Sequence, residues 1–251
     1  MGSTLERLKL SLAYDGRPFS GWQSQPNQNA IQDHLERAFS QIAAVQVKIQ
    51  GAGRTDSGVH ALGQVAHVDV PRRKLDPGTW MAAANARLPA EIRVIQCQPA
   101  SPDFHAQYSA VGKVYRYRIW NGPVLHPLEV GRAWHVPYPL DSHILRASSD
   151  RLTGTHDYAS FAANRGKPAE TTTRTIHQIR IQLRKECVTL EFYGNGFLYR
   201  MVRMLTGTIV RVASRRADAG LIVELLANPG KSKTNCTAPA EGLYLVKVRY
   251  S

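Results

Sequence analysis

Leu8-Lys9-Leu10-Ser11-Leu12-Ala13-Tyr14 has the two-residue period of a half-buried β-strand, and it stops at Asp15-Gly16, a turn pair. Past a loop rich in Pro, Asn and Gln, Ile31, Leu35, Ala38 and Ile42 recur at helical spacing. Asp33 sits near the start of that helix, where the helix dipole favours a carboxylate. Val45, Val47 and Ile49 alternate again, a glycine-rich loop runs over 51–58, and 65–70 reads as its return strand. A second helix is predicted over 79–87 and a further strand over 92–98. Strand and helix therefore alternate through a first layer that ends near Asp103.

From Phe104 the pattern starts afresh. Val114-Tyr115-Arg116-Tyr117-Arg118-Ile119-Trp120 is a long strand closed by Asn121-Gly122-Pro123. A helix over 142–152, strands over 175–183 and 188–193, and a helix over 197–213 follow. The stripe of that last helix is Leu198, Met201, Val202, Leu205, Ile209 and Val212. A short helix over 221–226 and a closing strand over 243–250 complete the chain. This order predicts an α+β fold of two similar halves, 1–103 and 104–251. Each half is a largely antiparallel mixed sheet with helices on one face, and the catalytic cleft is expected between them. No short sequence repeat accompanies the halves, so their likeness rests on element order.

The 251 residues are 43% hydrophobic and 20% charged, which suits a packed globular chain and excludes disorder. No apolar run approaches the ~18 residues of a membrane helix, and the N-terminus has no signal-peptide pattern. Gly2 lacks the Ser or Thr that lipidation needs at position 6, which is Glu6. Three well-separated cysteines, Cys97, Cys187 and Cys236, suit thiols in a reducing compartment, and the expected location is the cytoplasm. Thirty-two Lys and Arg against nineteen Asp and Glu leave a net charge of +13. That excess points to a polyanionic partner, nucleic acid first. The charge is spread from Arg7, Lys9 and Arg17 through Arg72, Arg73 and Lys74 to Arg211, Arg215 and Arg216, with no basic tail.

The densest polar cluster is Gly51-Ala52-Gly53-Arg54-Thr55-Asp56-Ser57-Gly58-Val59-His60. It opens like a dinucleotide fingerprint but has Asp56 where the third glycine should stand, and a strand follows it; nor is it a phosphate-cradling P-loop. Glycines hold Arg54 and Asp56 two residues apart on a tight loop, so one ligand can meet both head groups. A positioned, ionised carboxylate is what attack on a sugar carbon requires. His60 and His67 have six residues between them and no third ligand at a recognised spacing, so no metal site is expected.

Gly53-Arg54-Thr55-Asp56-x-Gly58-Val59-His60-Ala61 resembles the catalytic loop of the tRNA pseudouridine synthase A family. The resemblance continues through Tyr14-Asp15-Gly16-x-x-Phe19-x-Gly21-Trp22-Gln23-x-Gln25, Asn85-Ala86-x-Leu88-Pro89, Asp103-Phe104-His105-Ala106 and Tyr115-Arg116-Tyr117. It extends over Asp157-Tyr158-x-Ser160-Phe161, Met201-Val202-Arg203-x-x-x-Gly207 and Glu241-Gly242-Leu243-Tyr244-Leu245. The resemblance implies an isomerase that breaks the uridine N1–C1′ bond in tRNA, rotates the flipped base and rejoins it through C5, without cofactor or metal. It implies Asp56 as the nucleophile, attacking C1′ or C6, and Tyr115 as the ring stacked on the extruded uracil. Arg203 is implied as the partner of the aspartate and Arg54 as the filler of the gap left by the flipped nucleotide. It also implies a homodimer and a target on the 3′ side of the anticodon stem-loop, tRNA positions 38 to 40. Base extrusion costs a few kcal/mol, which an aromatic platform and an inserted guanidinium can offset.

Two positions depart from the family pattern. Ser57 replaces an alanine; it is small enough to be harmless, but it also brings a hydroxyl within reach of the Asp56 carboxylate, where a hydrogen bond would weaken the nucleophile. Gln107 replaces an arginine and removes a charge expected to meet the RNA backbone. The rival reading is a basic RNA-binding module without catalysis, which Asp56 opposes, because a binding groove gains nothing from a carboxylate facing phosphates.

Overall fold

The computed structural model describes residues 5–72, 74–163 and 171–251, so Arg73 of the basic run lies outside the described residues. In chain order the first elements are β1 (Leu5–Tyr14), α1 (Ile31–Ala43), β2 (Ile49–Gly51), β3 (His60–Pro71), α2 (Pro77–Asn85) and β4 (Ile92–Ala100). They are followed by β5 (Ala110–Trp120), β6 (Trp134–His135), α3 (Ser142–Arg151), β7 (Gly154–Asp157) and β8 (Thr173–Arg184). The last are β9 (Cys187–Gly194), α4 (Met201–Ala213), α5 (Leu221–Ala227) and β10 (Leu243–Tyr250). The fold is α+β with mostly antiparallel strand pairs. Among the described residues no helix is long and apolar enough to cross a membrane.

The chain forms two compact units, residues up to Val111 together with Tyr244–Ser251, and Gly112–Leu243. The boundary thus falls after Val111 rather than at 103/104, and the last strand returns to the first unit. Side chains explain the difference. The Lys9 ammonium sits over the rings of Phe104 and Tyr250, 5.0 and 4.2 Å from their centroids. The Tyr250 hydroxyl donates to the Ala106 carbonyl at 2.8 Å, and Arg7 donates to the Pro102 and Phe104 carbonyls.

In the first unit β1 lies between β4 and β3, β2 pairs antiparallel with β3, and β10 runs parallel to β3 at Tyr244 and Leu245. The alternation that announced β1 buries Leu8, Leu10, Leu12 and Tyr14 on one face. Asp33 does more at the start of α1 than complement a dipole: its carboxylate accepts the Ala30 N–H at 2.9 Å. Phe39 of α1 stacks on Trp80 of α2, centroids 5.7 Å apart. Asn85 clamps α2 to β4 through both of its amide atoms, each 2.9 Å from the Val94 backbone. The strand expected from Val45 begins only at Ile49. The segment leading into it is held by α1 instead: the Val47 N–H donates to the Ser40 hydroxyl and the N–H of Ile49, the strand's first residue, to the Glu36 carboxylate, each at 3.0 Å.

In the second unit the antiparallel order is β5, β9, β8, β7, with β6 parallel to β5. The helix expected from Phe197 begins at Met201, because Arg200 takes φ 58°, a left-handed conformation that a right-handed helix cannot run through. Nor is its surface a stripe: eleven of thirteen residues of α4 are buried, and Arg203 and Arg211 are the two that are not.

Candidate active site

Asp56 sits in a loop that its surroundings hold from several sides. The loop turns back at Ser57-Gly58, where the Val59 N–H donates to the Asp56 carbonyl at 3.1 Å and Gly58 takes φ 80°. Before the turn, the Gly53 carbonyl accepts from the buried Gln64 amide at 2.7 Å, and the Thr55 hydroxyl shares a 2.9 Å hydrogen bond with Tyr14. Burial pushes the Tyr14 phenol up to about 12, against the opposing hydrogen bonds from Thr55 and Gln64, so it stays protonated as a fixed partner. On the other flank the Trp22 N–H donates to the Thr55 carbonyl at 3.0 Å. A Cβ at Gly16 would lie 2.0 Å from the Val59 carbonyl oxygen, and one at Gly51 would lie 2.4 Å from the Trp22 ring. The segment 14–25 is therefore the cradle of this loop. Asp56 is left half-buried and Arg54 exposed, the latter with no hydrogen bond or ion pair among the described residues.

Of the two readings of Ser57, the donor to Asp56 is not the one the hydroxyl takes. Its one hydroxyl proton goes to the Phe19 carbonyl at 3.0 Å, another tie between loop and cradle. Gln107 is exposed, consistent with a place on the surface where a charge is missing.

Tyr115 and Tyr117 share a face of β5 but have different surroundings. Tyr117 is fully buried, donates to the Pro239 carbonyl at 2.6 Å, and lies so flat against Gly242 that a Cβ there would be 2.6 Å from its ring. Burial raises its hydroxyl well above the usual phenol range, with Arg203 opposing. Tyr115 is 8% exposed and meets the edge of Phe197, centroids 5.2 Å apart and planes at 81°. Arg203 is half-buried near the start of α4, its Nε donating to the Ala238 carbonyl at 2.8 Å. A Cβ at Gly207 would lie 2.6 Å from the Cys236 carbonyl oxygen, so glycine there lets the 236–238 segment close on the helix and hold the guanidinium. Arg54 and Asp56 thus share one loop of the first unit, and Tyr115 and Arg203 both belong to the second.

The family model described as tRNA pseudouridine synthase matches residues 11–109 and 149–251. The chain belongs to the tRNA pseudouridine synthase family. It is 42% identical to tRNA pseudouridine synthase A of Akkermansia muciniphila over 98% of this chain and 96% of that one. Against the protein of the same name from Latilactobacillus sakei it is 39% identical over 98% and 99%. Against tRNA pseudouridine synthase A 1 of Protochlamydia amoebophila the figures are 40%, 96% and 95%. A solved structure it resembles, the archaeal box H/ACA sRNP Nop10-Cbf5 complex, aligns at a TM-score of 0.37 with 13% identity over 81% of this chain and 43% of that chain. As a member of the pseudouridine synthase family the chain is an isomerase.

Within this pseudouridine synthase the two histidines weighed as ligands have other work. His60 Nδ1 lies 3.2 Å from the Gly16 nitrogen and 3.3 Å from the Asp15 carboxylate, and its ring stacks on Tyr244 with centroids 4.6 Å apart. His67 Nδ1 accepts the Ala106 N–H at 3.2 Å. Burial first, then the charges of Arg7 and His105, push His67 down to about 4, so it is neutral near pH 7.

Many of the cations that carry the basic spread are also engaged. Arg7 pairs with Asp69 at 2.7 Å, Arg17 with Asp15, and Arg215 with Asp141 at 3.1 Å. Lys74 donates to the Ala43 carbonyl at 2.7 Å, the C-terminal end of α1, where the helix dipole favours a cation. Arg216 stacks on Tyr138 at 3.5 Å. Arg54 is different: it stands exposed on the Asp56 loop with its guanidinium unspent among the described residues.

Proposed function

We propose that this chain converts uridine to pseudouridine in tRNA, on the 3′ side of the anticodon stem-loop at positions 38 to 40, with Asp56 as the nucleophile. The observation that carries the reading is the braced loop, because a loop held by Tyr14, Trp22, Gln64 and the close-packed Gly16 and Gly21 presents its carboxylate from a fixed backbone, as attack on a sugar or base carbon requires. The target uridine is flipped out of the RNA stack, Tyr115 supplies the platform for its ring, and the exposed Arg54 occupies the space it leaves. Arg203 supplies the positive charge that keeps the aspartate ionised and ready. Breaking N1–C1′ and forming C5–C1′ is redox-neutral and releases the C5 proton while N1 gains one, so carboxylate chemistry suffices without cofactor or metal. The enzyme acts in the cytoplasm as a homodimer, so that one tRNA spans more basic surface than a single chain offers.

The same balance defines the assay. tRNA carrying [5-³H]uridine releases tritium on each turnover, and Asp56→Asn keeps the side chain's shape while removing its charge. The variant should release no tritium above background while its Kd for tRNA stays within about threefold of wild type. Substantial turnover by the asparagine variant would refute the nucleophile, and mapping pseudouridine in the product tests the anticodon-stem assignment.

A further inference from the structure

Lys113 lies two residues before Tyr115 on β5 and therefore on the same face of the sheet. Its partner across β9 is Gly194, and the partner of Gly194 across β8 is Ile176. Directly opposed residues share a face, so Lys113, Gly194 and Ile176 form one row, and Arg174, two residues from Ile176, belongs to the same face. Gly194 contributes no side chain, and Phe197 fills part of the gap: a Cβ on Gly194 would stand 3.0 Å from its ring. Phe197 is also the ring set edge-on to Tyr115. Arg174 lies along Gly196, whose Cβ would be 3.7 Å from its Cδ and Nε, and one Nη donates to the Thr171 and Thr173 carbonyls.

Two cations thus meet at one partly buried end of the sheet beside Tyr115, where neither Gly194 nor Gly196 interposes a side chain. Among the described residues neither has a carboxylate partner, and the Lys113 ammonium makes no hydrogen bond. Burial, and then repulsion from Arg174, pull Lys113 below the usual lysine range. A folded chain bears such a cost when an anion relieves it on binding, and the anion at hand for a tRNA-modifying enzyme is a backbone phosphate.

We infer that Lys113 and Arg174 form a phosphate subsite that grips the RNA backbone next to the nucleotide stacked on Tyr115. This rests on the proposed function above. Lys113→Met preserves length and volume and removes the charge. Its melting temperature should match or exceed that of wild type, because a partly buried, repelled cation is gone. Its Kd for tRNA should rise about tenfold, the worth of one charge-assisted contact. The slope of log K against log salt should flatten by about 0.7 to 0.9, one phosphate contact. KM should rise more than kcat falls, Lys113→Arg should restore the wild-type slope, and Arg174→Gln should flatten it in turn. An unchanged slope and Kd in Lys113→Met would overturn the subsite, and so would a lowered melting temperature with an unchanged slope, which marks a packing role. Failure of the parent reading looks different: wild type would then release no tritium from labelled tRNA, whatever the salt slopes show.

Discussion

Replacing Gly21 by alanine tests whether the placement of Asp56, rather than its mere presence, sets the rate. Gly21 takes φ 94°, and a Cβ there would lie 2.7 Å from the Thr55 carbonyl oxygen and 3.0 Å from both the Asp56 carbonyl carbon and the Ser57 nitrogen. Optimal carbon contacts lie at about 3.5 Å or beyond, so the loop must recede by roughly half an ångström, and the atoms that must yield are backbone. The left-handed conformation adds about 1–2 kcal/mol of strain for a residue with a side chain. The Trp22 N–H bond to the Thr55 carbonyl, 3.0 Å in the native loop, lengthens with the retreat. Together these lower stability by about 2–3 kcal/mol, a fall in melting temperature of roughly 5–10 °C for a chain of this size. A misplacement of about 1 Å can cost on the order of a hundredfold in rate, so half of that predicts roughly tenfold in kcat. Tritium release at a temperature well below the melting transition reads this directly. KM for tRNA should stay within about threefold, since Gly21 is not itself expected to touch RNA. A folded Gly21→Ala protein with wild-type kcat would refute the cradle argument, because the carboxylate would then be tolerating the displacement that the geometry demands.

Three further outcomes follow from particular contacts. Tyr115→Phe should keep kcat within a few-fold while Tyr115→Ala weakens tRNA binding by about tenfold, if the ring acts as a stacking platform; a large kcat defect in the phenylalanine variant would instead place the hydroxyl in proton transfer. Ser57→Ala should leave kcat within about twofold, because the Ser57 proton goes to the Phe19 carbonyl; a clear rise in kcat would show that the hydroxyl restrains Asp56. His67, held near pKa 4 in the folded chain against about 6.5 unfolded, binds its proton more readily in the unfolded state. Its contribution is therefore complete above pH ~6.5 and drains away as pH falls toward 4. His67→Gln keeps an acceptor for the Ala106 N–H and cannot titrate. Between pH 7 and 4.5 the wild type should lose about 2 kcal/mol relative to that variant in urea midpoints, and parallel pH curves would refute the assignment.

The elements that were legible in the sequence are those whose periodicity is decided locally. The alternation of β1 and the 3.6-residue spacing of α1 report a face that must be buried whatever packs on it, and both appear where the pattern places them. The readings that shifted were decided by distant partners. Val45 and Val47 alternate like a strand, but the Val47 N–H is claimed by Ser40 of the preceding helix, and Glu36 of the same helix holds the N–H of Ile49 where the strand does begin. Phe197 and Leu198 continue the apolar spacing of α4, yet Arg200 breaks the helix with a positive φ and Phe197 turns instead to Tyr115. The unit boundary moved because a lysine chose two aromatic rings, one of them at the far end of the chain.

The candidate site divides along the same line. Asp56 and Arg54 stand out in the sequence because glycines crowd around them, and that crowding has a local cause in the Gly58 turn. What the glycines outside the loop are for is not local at all. Gly16 and Gly21 sit where the backbone of Val59 and Thr55 leaves no room for a methyl group, and at the loop's own first residue, Gly51, the Trp22 ring fills the same space, so a motif roughly forty residues upstream serves as the loop's mould. The same logic distinguishes Tyr117 from Tyr115. Gly242 and the Pro239 carbonyl commit Tyr117 to the core, whereas Tyr115 has the edge of Phe197 against its ring. A strand of alternating Tyr and Arg cannot announce which tyrosine is structural, because the deciding contacts come from residues more than a hundred positions away. Lys113 is the converse case: nothing in its immediate sequence marks it, and only the register that sets it opposite Gly194, on one face with Arg174, turns an ordinary strand lysine into a cation in want of an anion.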